Sequence, residues 1–255
     1  MRAKIQACYL PILAQYVAAN DVRYYLKGFL IEPAPAEIGG CYLVATNGQH
    51  IVVIHDKQAE SEDVSMMEIP KRMLIDCKYD KATMANRYKI YGDKFVTFDG
   101  QMATLEDKSG PIRAERSTLI GGKYPEWRKV LPRESVATEN VVINPKFLSI
   151  ADSALKKSGL VDKNSLGANI ELFGNNRCIA FFPSTNSDKH EIMIIIMPMR
   201  DDKPHSIKSA WMQNIDKRWE KPVPVDNAEF PQPNAMGFYE HDFSNFSFYA
   251  GGNHE

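Results

Sequence analysis

The sequence contains few cysteines and lacks the motifs of common catalytic sites. Its four cysteines, Cys8, Cys41, Cys77 and Cys178, stand singly with no CxxC pair. We therefore expect neither a metal centre with clustered ligands nor a disulfide framework. The motifs GxxxxGK[ST], GxSxG, HExxH and GxGxxG are all absent. The sequence predicts a protein that is not an enzyme and that needs no cofactor.

Long apolar runs and a strong net charge are also missing. The N-terminal stretch has no extended apolar core followed by a cleavage site, and no run is long enough to span a bilayer. We expect a soluble, cytoplasmic protein with no membrane partner. The formal net charge is -1, so the chain has no overall positive field to attract nucleic acid. A basic patch on one face of the protein is still compatible with this net charge.

The pattern of predicted elements is a strand, a helix and then several strands, and it occurs three times. In the first unit a helix follows Pro11, which the first turn of a helix tolerates. Asn47-Gly48 predicts a tight turn between two strands, because both residues accept positive φ. His50 and His55 lie five positions apart on one predicted strand, so they point to opposite faces. The predicted strands of this unit are residues 3–8, 22–31, 41–46 and 50–55.

The second and third units resemble each other in sequence. EIPKRMLIDCK aligns with INPKFLSIADS, and YKIYGDKFVTFD aligns with IELFGNNRCIAFFP, which indicates an internal repeat. In the second unit the sequence predicts a short helix over 70–79 and a strand over 112–119. The third predicts a helix over KFLSIADSALKKSG, ended by Gly159. We therefore predict a domain over 1–133, made of half-units 1–63 and 64–133, a third half-unit over 134–200, and an extension of unknown role over 201–255.

Four short segments carry a family resemblance: DVRYYL (21–26), VATNGQH (44–50), YPEWRKVLP (124–132) and IIIMPMR (194–200). In order and spacing they are similar to the segments that build the partner-binding pocket of bacterial sliding clamps, the beta subunits of DNA polymerase III. The resemblance implies an α+β fold of repeated β-α-β-β-β units, with helices on one face and antiparallel sheets on the other. It covers residues 1–200 but only three half-units, where a bacterial clamp chain has six.

The resemblance implies a processivity factor for a DNA polymerase. Its partners would be DNA polymerase and clamp-loader peptides, bound in an apolar pocket that tolerates several sequences. Gln49-His50 stands where bacterial clamps usually carry a histidine-arginine pair, so the peptide preference is expected to differ. The pocket residues implied by the match are Leu26, Thr46, Gly48, Gln49, His50, Ile51, Pro125, Lys129, Val130, Ile195, Ile196, Met197, Pro198 and Met199.

The resemblance also implies contact with double-stranded DNA, without sequence preference, through basic residues on the helices. These residues are Lys71, Arg72, Lys78, Lys146, Lys156 and Lys157. Four copies of three half-units would supply the twelve of a familiar ring, which predicts a homo-oligomer if a ring forms. The alternative is a clamp-like interaction protein that does not encircle DNA and that sequesters or scaffolds replication factors, for example one encoded by a phage.

Overall fold

The computed structural model describes residues 2–78, 94–131, 143–158, 167–173, 178–183 and 191–198. The fold over these residues is α+β and mostly antiparallel sheet. The strands are β1 (Arg2–Gln6), β2 (Gly28–Pro33), β3 (Cys41–Thr46), β4 (His50–Asp56), β5 (Glu60–Ser61), β6 (Ser65–Glu68), β7 (Phe95–Asp99), β8 (Met102–Asp107), β9 (Gly110–Arg116), β10 (Ala168–Leu172), β11 (Ile179–Pro183) and β12 (Glu191–Ile196). The α-helices are α1 (Leu10–Leu13) and α2 (Pro145–Ser158).

The strands form two sheets, and the first two half-units exchange their opening strands. One sheet has the order β5-β1-β7-β8-β9, and the other has the order β10-β11-β12-β4-β3-β2-β6. Thus β1 joins the later strands of the second half-unit, while β6 joins those of the first. The third half-unit extends the second sheet, because β12 pairs antiparallel with β4 from Glu191↔His55 to Ile196↔His50.

The main core lies between the two sheets and the helices. Alternate residues of the strands point into it, including Ile5 of β1, Phe98 of β7, Val52 of β4 and Ile194 of β12, all at most 1% exposed. The helix α2 contributes Ala151, Ala154 and Leu155, with Phe147 partly buried beside them. Residues Met1–Asp202 belong to one compact unit. In the described part of the chain, no helix combines the length and apolarity that a bilayer crossing requires.

Several element boundaries differ from the sequence-based predictions. The first strand ends at Gln6 and continues as a 3-10 turn over Ala7–Tyr9. The predicted strand over 22–31 begins only at Gly28, because Tyr24–Lys27 form a 3-10 helix. The short helix predicted over 70–79 consists of turns as far as Cys77, and its end lies outside the described residues. The strand predicted over 112–119 is β9, which is shifted to Gly110–Arg116.

Other expectations agree with the structure. The helix predicted over 146–159 corresponds to α2, which ends at Ser158. The last predicted residue, 159, lies outside the described residues. The strand predicted over 41–46 matches β3, and Gly48 has a φ of 90° in the connection to β4. The domain boundaries predicted from the repeat remain a prediction. The extension from residue 201 lies outside the described residues.

Candidate partner-binding site

A second group of buried apolar residues lies on the face of the seven-stranded sheet opposite the main core. We call this group the outer cluster. The sheet contributes Leu30, Val44, Ile51, Val53, Met66 and Ile195, and the segment after β9 contributes Tyr124 and Trp127. Each of these side chains is at most 7% exposed. The outer cluster therefore joins the YPEWRKVLP segment to strands of the first and third half-units.

Polar contacts fix the YPEWRKVLP segment on the sheet. The Tyr124 hydroxyl donates to the Val44 carbonyl at 3.2 Å, and burial raises the pKa of that hydroxyl. The Trp127 indole N–H donates to Glu32 Oε2 at 2.9 Å, and Arg128 Nη1 donates to Glu32 Oε1 at 2.8 Å. The Arg128 guanidinium also lies 4.2 Å from the centroid of the Trp127 ring, in a cation–π contact.

The DVRYYL and VATNGQH segments meet at the connection between β3 and β4. Asp21 accepts hydrogen bonds from the backbone N–H and the guanidinium of Arg23, at 2.7 to 3.0 Å. The same guanidinium reaches the Asn47 carbonyl at 3.5 Å. The Thr46 hydroxyl accepts from the Gly48 N–H and donates to the His50 carbonyl. Side chains thus hold this turn from both sides.

The IIIMPMR segment reaches the same place through β12. Ile195 lies opposite Ile51 in the register of β12 and β4, and both belong to the outer cluster. Beyond the strand, the Met197 N–H donates to the Gln49 carbonyl at 3.0 Å. All four segments that carry the resemblance therefore converge on one region of the sheet.

Within that region the predicted pocket residues occupy three kinds of position. Thr46, Ile51 and Ile195 are buried on the outer face, while Leu26 is buried in the 3-10 helix before β2. Half-buried or exposed positions are occupied by Gly48, Gln49, Pro125, Lys129, Val130, Met197 and Pro198. Ile196 and His50 point to the helix side of the sheet, and Met199 lies outside the described residues.

The environment of His50 differs from that of an exposed basic residue. Its ring is 2% exposed and lies 4.7 Å from the Tyr16 ring and 4.9 Å from the Phe147 ring, measured between centroids. Asn47 Nδ2 lies 3.1 Å from His50 Nε2. Burial, assisted by the positive charge of Lys146, lowers the pKa of His50 to about 4. The side chain is therefore neutral at pH 7 and packs between the sheet and the helices.

A groove that sequence reasoning missed is lined in part by the YPEWRKVLP segment. It has a volume of about 640 Å³ and is lined by Leu30 and Glu32 of β2, by residues 64–66 and by residues 119–129. Val64 and Leu119 are 63% and 48% exposed at its rim. The groove shares only Pro125 and Lys129 with the predicted pocket. Its walls come from segments far apart in the chain, and apart from the YPEWRKVLP segment no local motif marks them.

The basic residues predicted to face DNA are exposed and lie in two places. Lys146, Lys156 and Lys157 are on α2, where Lys156 pairs with Asp152 at 2.7 Å and Lys157 donates to Gln15 Oε1 at 3.2 Å. Lys71, Arg72 and Lys78 belong to the turns after β6. Glu115 of β9 fixes the start of those turns by accepting from the backbone N–H groups of residues 72 and 73. Among the described residues, no group of three His, Cys, Asp or Glu side chains is placed to hold a metal ion.

Comparison with known proteins gives a consistent structural result. Neither protein-family models nor curated proteins match the sequence. A DNA polymerase sliding clamp from Pseudomonas aeruginosa matches 79% of this chain with 16% identity and a TM-score of 0.51. The Helicobacter pylori beta clamp in complex with carprofen matches 78% with 13% identity and a TM-score of 0.52. A putative DNA polymerase III beta subunit from Eubacterium rectale matches 79% with 12% identity and a TM-score of 0.50.

These matches cover 66–67% of the bacterial chains, so this chain corresponds to about two thirds of a sliding-clamp chain. The chain therefore has the fold of the bacterial DNA polymerase III beta sliding clamps.

Proposed function

We propose that this protein is a sliding-clamp-like processivity factor for a DNA polymerase, acting in the cytoplasm without catalysing a reaction. It would bind short peptide segments of the polymerase and of a clamp loader, and it would encircle double-stranded DNA as a closed homo-oligomer. The observation that carries the proposal is the convergence of four separate segments, within a clamp fold, around the outer cluster and the turn at residues 47–49.

The accessible residues of this region suit a weak peptide site. Met197 and Val130 offer apolar surface, while Gln49 and Lys129 offer polar groups at the edge. Methionine adapts to several partners because its side chain is flexible and polarizable. Burial of two large apolar side chains of a peptide contributes about 1.5–3 kcal/mol each. After ordering costs, that corresponds to affinities on the order of micromolar, which suits partners that are also held on DNA.

The site is tested by fluorescence polarisation with a labelled synthetic peptide that contains a glutamine and two large apolar residues. We expect saturable binding to the full chain and a loss of at least about fivefold in Met197→Ala, because burial of its side chain contributes about 1–2 kcal/mol. The matched control is Met102→Ala, whose side chain is 45% exposed on the five-stranded sheet. Equal binding by both variants, or no binding by the parent chain, would contradict the proposed site.

A second candidate function is a clamp-like interaction protein that does not encircle DNA. The observation favouring it is the modest basic character of α2, where Lys156 is paired with Asp152 and Lys157 is bound to Gln15. Light scattering on a sizing column separates the two candidates. A closed symmetric oligomer supports the ring, whereas peptide binding by a strict monomer supports the interaction protein.

A further inference from the structure

The Asn47 side chain holds the turn between β3 and β4 through three hydrogen bonds. Its Oδ1 accepts from the backbone N–H groups of Gln49 and His50, at 3.0 and 3.2 Å. The oxygen of an amide accepts and its nitrogen donates, so these two bonds fix which way the amide points. Asn47 Nδ2 then lies 3.1 Å from His50 Nε2 and donates to it. In the neutral His50 ring, Nε2 is therefore the acceptor and Nδ1 carries the proton.

The ring that provides this acceptor is held in a buried position. His50 packs against the rings of Tyr16 and Phe147, whose centroids lie 4.7 and 4.9 Å away. Within the described part of the chain, its buried Nδ1 atom has no hydrogen-bond partner, which is costly in a protein interior. A phenylalanine would fill the same space without that cost, so packing alone does not explain a histidine here. The bond from Asn47 does explain it.

The turn that His50 supports also positions part of the proposed peptide site. The Gln49 carbonyl accepts from the Met197 N–H at 3.0 Å, so a displacement of the turn would displace Met197 with it. From the exposed side the turn is contacted by Arg23, whose guanidinium lies 3.5 Å from the Asn47 carbonyl. That distance is at the limit for a hydrogen bond. The shorter contact inside the protein, from Asn47 to His50, is therefore the stronger constraint on the turn.

We propose that His50 is a positioning residue for the peptide site and does not touch the peptide itself. Its Nε2 fixes the Asn47 side chain and the turn that this side chain closes. Through Gln49, the turn then sets the place of Met197 beside a bound peptide. The bond requires an unprotonated Nε2, because a proton there would set two donors against each other. This inference rests on the proposed peptide-binding function.

The charged and titratable groups around the ring favour the form that the bond requires. Burial, and then the positive charge of Lys146 on α2, lowers the pKa of His50. Tyr16 remains uncharged, because burial raises the pKa of its hydroxyl. On the exposed side of the turn, Arg23 and Asp21 pair with each other at 2.7 Å. The ring therefore keeps an unprotonated Nε2 at pH 7.

The functional part of the proposal is tested with the labelled peptide that contains a glutamine and two large apolar residues. His50→Phe keeps a ring but removes the bond to Asn47, and we expect fluorescence polarisation to show at least about fivefold weaker binding. Tyr16→Phe is the matched control, because it also removes one polar atom from this pair of rings. Its hydroxyl is buried and, among the described residues, has no hydrogen-bond partner, so a change below about twofold is expected. Equal affinities of the two variants would overturn the positioning role.

The same titration separates this inference from the proposed function. If the parent chain does not bind the peptide, the peptide site is rejected and the role of His50 is rejected with it. If the parent chain binds and a folded His50→Phe chain binds equally well, only the positioning role is rejected. Circular dichroism checks that each variant is folded.

Nitrogen-15 NMR tests the bond in the folded parent chain. We expect the His50 ring, identified by its contacts with the Tyr16 and Phe147 rings, to carry its proton on Nδ1 at pH 7. Asn47→Asp places a carboxylate oxygen opposite Nε2, so the proton should move to Nε2. Asn47→Ala removes all three bonds of the turn.

The two Asn47 variants also differ in the expected affinity for the peptide. Asn47→Asp keeps an acceptor for the backbone N–H groups and a contact with His50, so it should bind at least about threefold more tightly than Asn47→Ala. A proton on Nε2 of the parent ring, or equal binding by the two Asn47 variants, would overturn the proposal. Both results are obtained even if His50→Phe does not fold.

Discussion

His55 of β4 and Glu191 of β12 lie opposite each other in register, and Nδ1 of the histidine is 2.7 Å from Oε2 of the glutamate. The other ring nitrogen, Nε2, is 2.9 Å from the Gly39 carbonyl. Carboxylate and carbonyl oxygens are both hydrogen-bond acceptors, so the His55 ring lies between two acceptors. Lys57 Nζ lies 2.9 Å from Glu191 Oε1 and adds a cation to the cluster. This cluster connects the first half-unit to the third.

Removal of this carboxylate is expected to weaken the connection. Glu191→Ala leaves the buried His55 ring without an acceptor at Nδ1, and we expect a loss of about 1–3 kcal/mol in the free energy of unfolding. Glu191→Gln keeps an acceptor and removes only a half-exposed charge, so its loss should be below about 1 kcal/mol. Urea denaturation measures both values, with the exposed Glu37→Ala as control. Equal losses in the two Glu191 variants would contradict the role of the acceptor.

The pH dependence of the same cluster has a definite sign. Hydrogen bonds from Lys57 and then from His55 lower the pKa of Glu191. A carboxyl whose pKa is lowered on folding contributes stability above its unfolded pKa, and that contribution disappears as the pH falls through the folded value. The Glu191-dependent part of the stability should therefore be complete at pH 7 and shrink below about pH 4.5. A Glu191→Gln chain should lack that part.

His50 is expected to destabilise the fold in acid. Its pKa is lowered from 6.5 to about 4 by burial, so the unfolded chain binds the proton more strongly. The stability contribution is complete above pH 6.5 and is lost as the pH falls towards 4, on the order of 3 kcal/mol in full. Buried Asp56, whose pKa is raised to about 6, acts in the opposite direction over an overlapping range.

The contribution of His50 is isolated by comparing the parent chain with His50→Phe. The variant keeps a ring between Tyr16 and Phe147 but cannot bind a proton. Denaturation at pH 7 and pH 4.5 should show a smaller acid loss in the variant than in the parent. An identical loss in both chains would mean that His50 is protonated without cost in the fold.

Alanine substitutions at two adjacent glycines allow the cost of backbone strain to be distinguished from the cost of a steric clash. Gly39 and Gly40 have φ angles of 72° and 74°, so alanine is strained at either position by about 1 kcal/mol. A Cβ on Gly39 meets no atom within 4 Å, whereas a Cβ on Gly40 would meet the Asp56 carbonyl oxygen. We expect Gly40→Ala to cost about 1–3 kcal/mol more than Gly39→Ala in thermal or urea unfolding. Similar costs would show that the loop relaxes away from β4.

Contact between α2 and DNA is tested by charge reversal at Lys156 and Lys157. We expect the double glutamate variant to bind duplex DNA more weakly and to reduce the slope of log affinity against log salt by about 2. Fluorescence anisotropy across a salt series measures both effects. The control reverses Lys27 and Lys108, which lie outside α2. An equal effect of the two double variants would point to net charge rather than to this helix.

The sequence predicted local structure well where short-range chemistry decides it. The turn at Asn47-Gly48 and the bounds of β3 and α2 follow from turn residues and apolar spacing. The strand predicted from residue 22 was wrong up to residue 27. There the Asp21 carboxylate binds the Arg23 backbone N–H and favours a turn, and a 3-10 helix follows. Local side-chain bonding prevailed over β propensity.

The candidate site was less accessible to sequence reasoning. All seven residues of β4 are buried, because the strand has apolar layers on both faces, so no alternation shows which residues face the outer cluster. His50 is an example, since its position beside Tyr16 and Phe147 depends on helices distant in sequence. The groove beside residues 119–129 depends in the same way on long-range packing.

The burial of β4 also sets an order of events during synthesis. Its neighbours are β3, made just before it, and β12, which lies about 140 residues later. Until residue 196 has left the ribosome, β4 exposes one unpaired edge and Ile51 lacks Ile195. Sheets that are completed by strands so distant in sequence fold slowly, and their folding intermediates expose apolar surface and tend to aggregate. The nascent chain is therefore most vulnerable to aggregation and to chaperone capture after the first domain is made and before the third half-unit arrives.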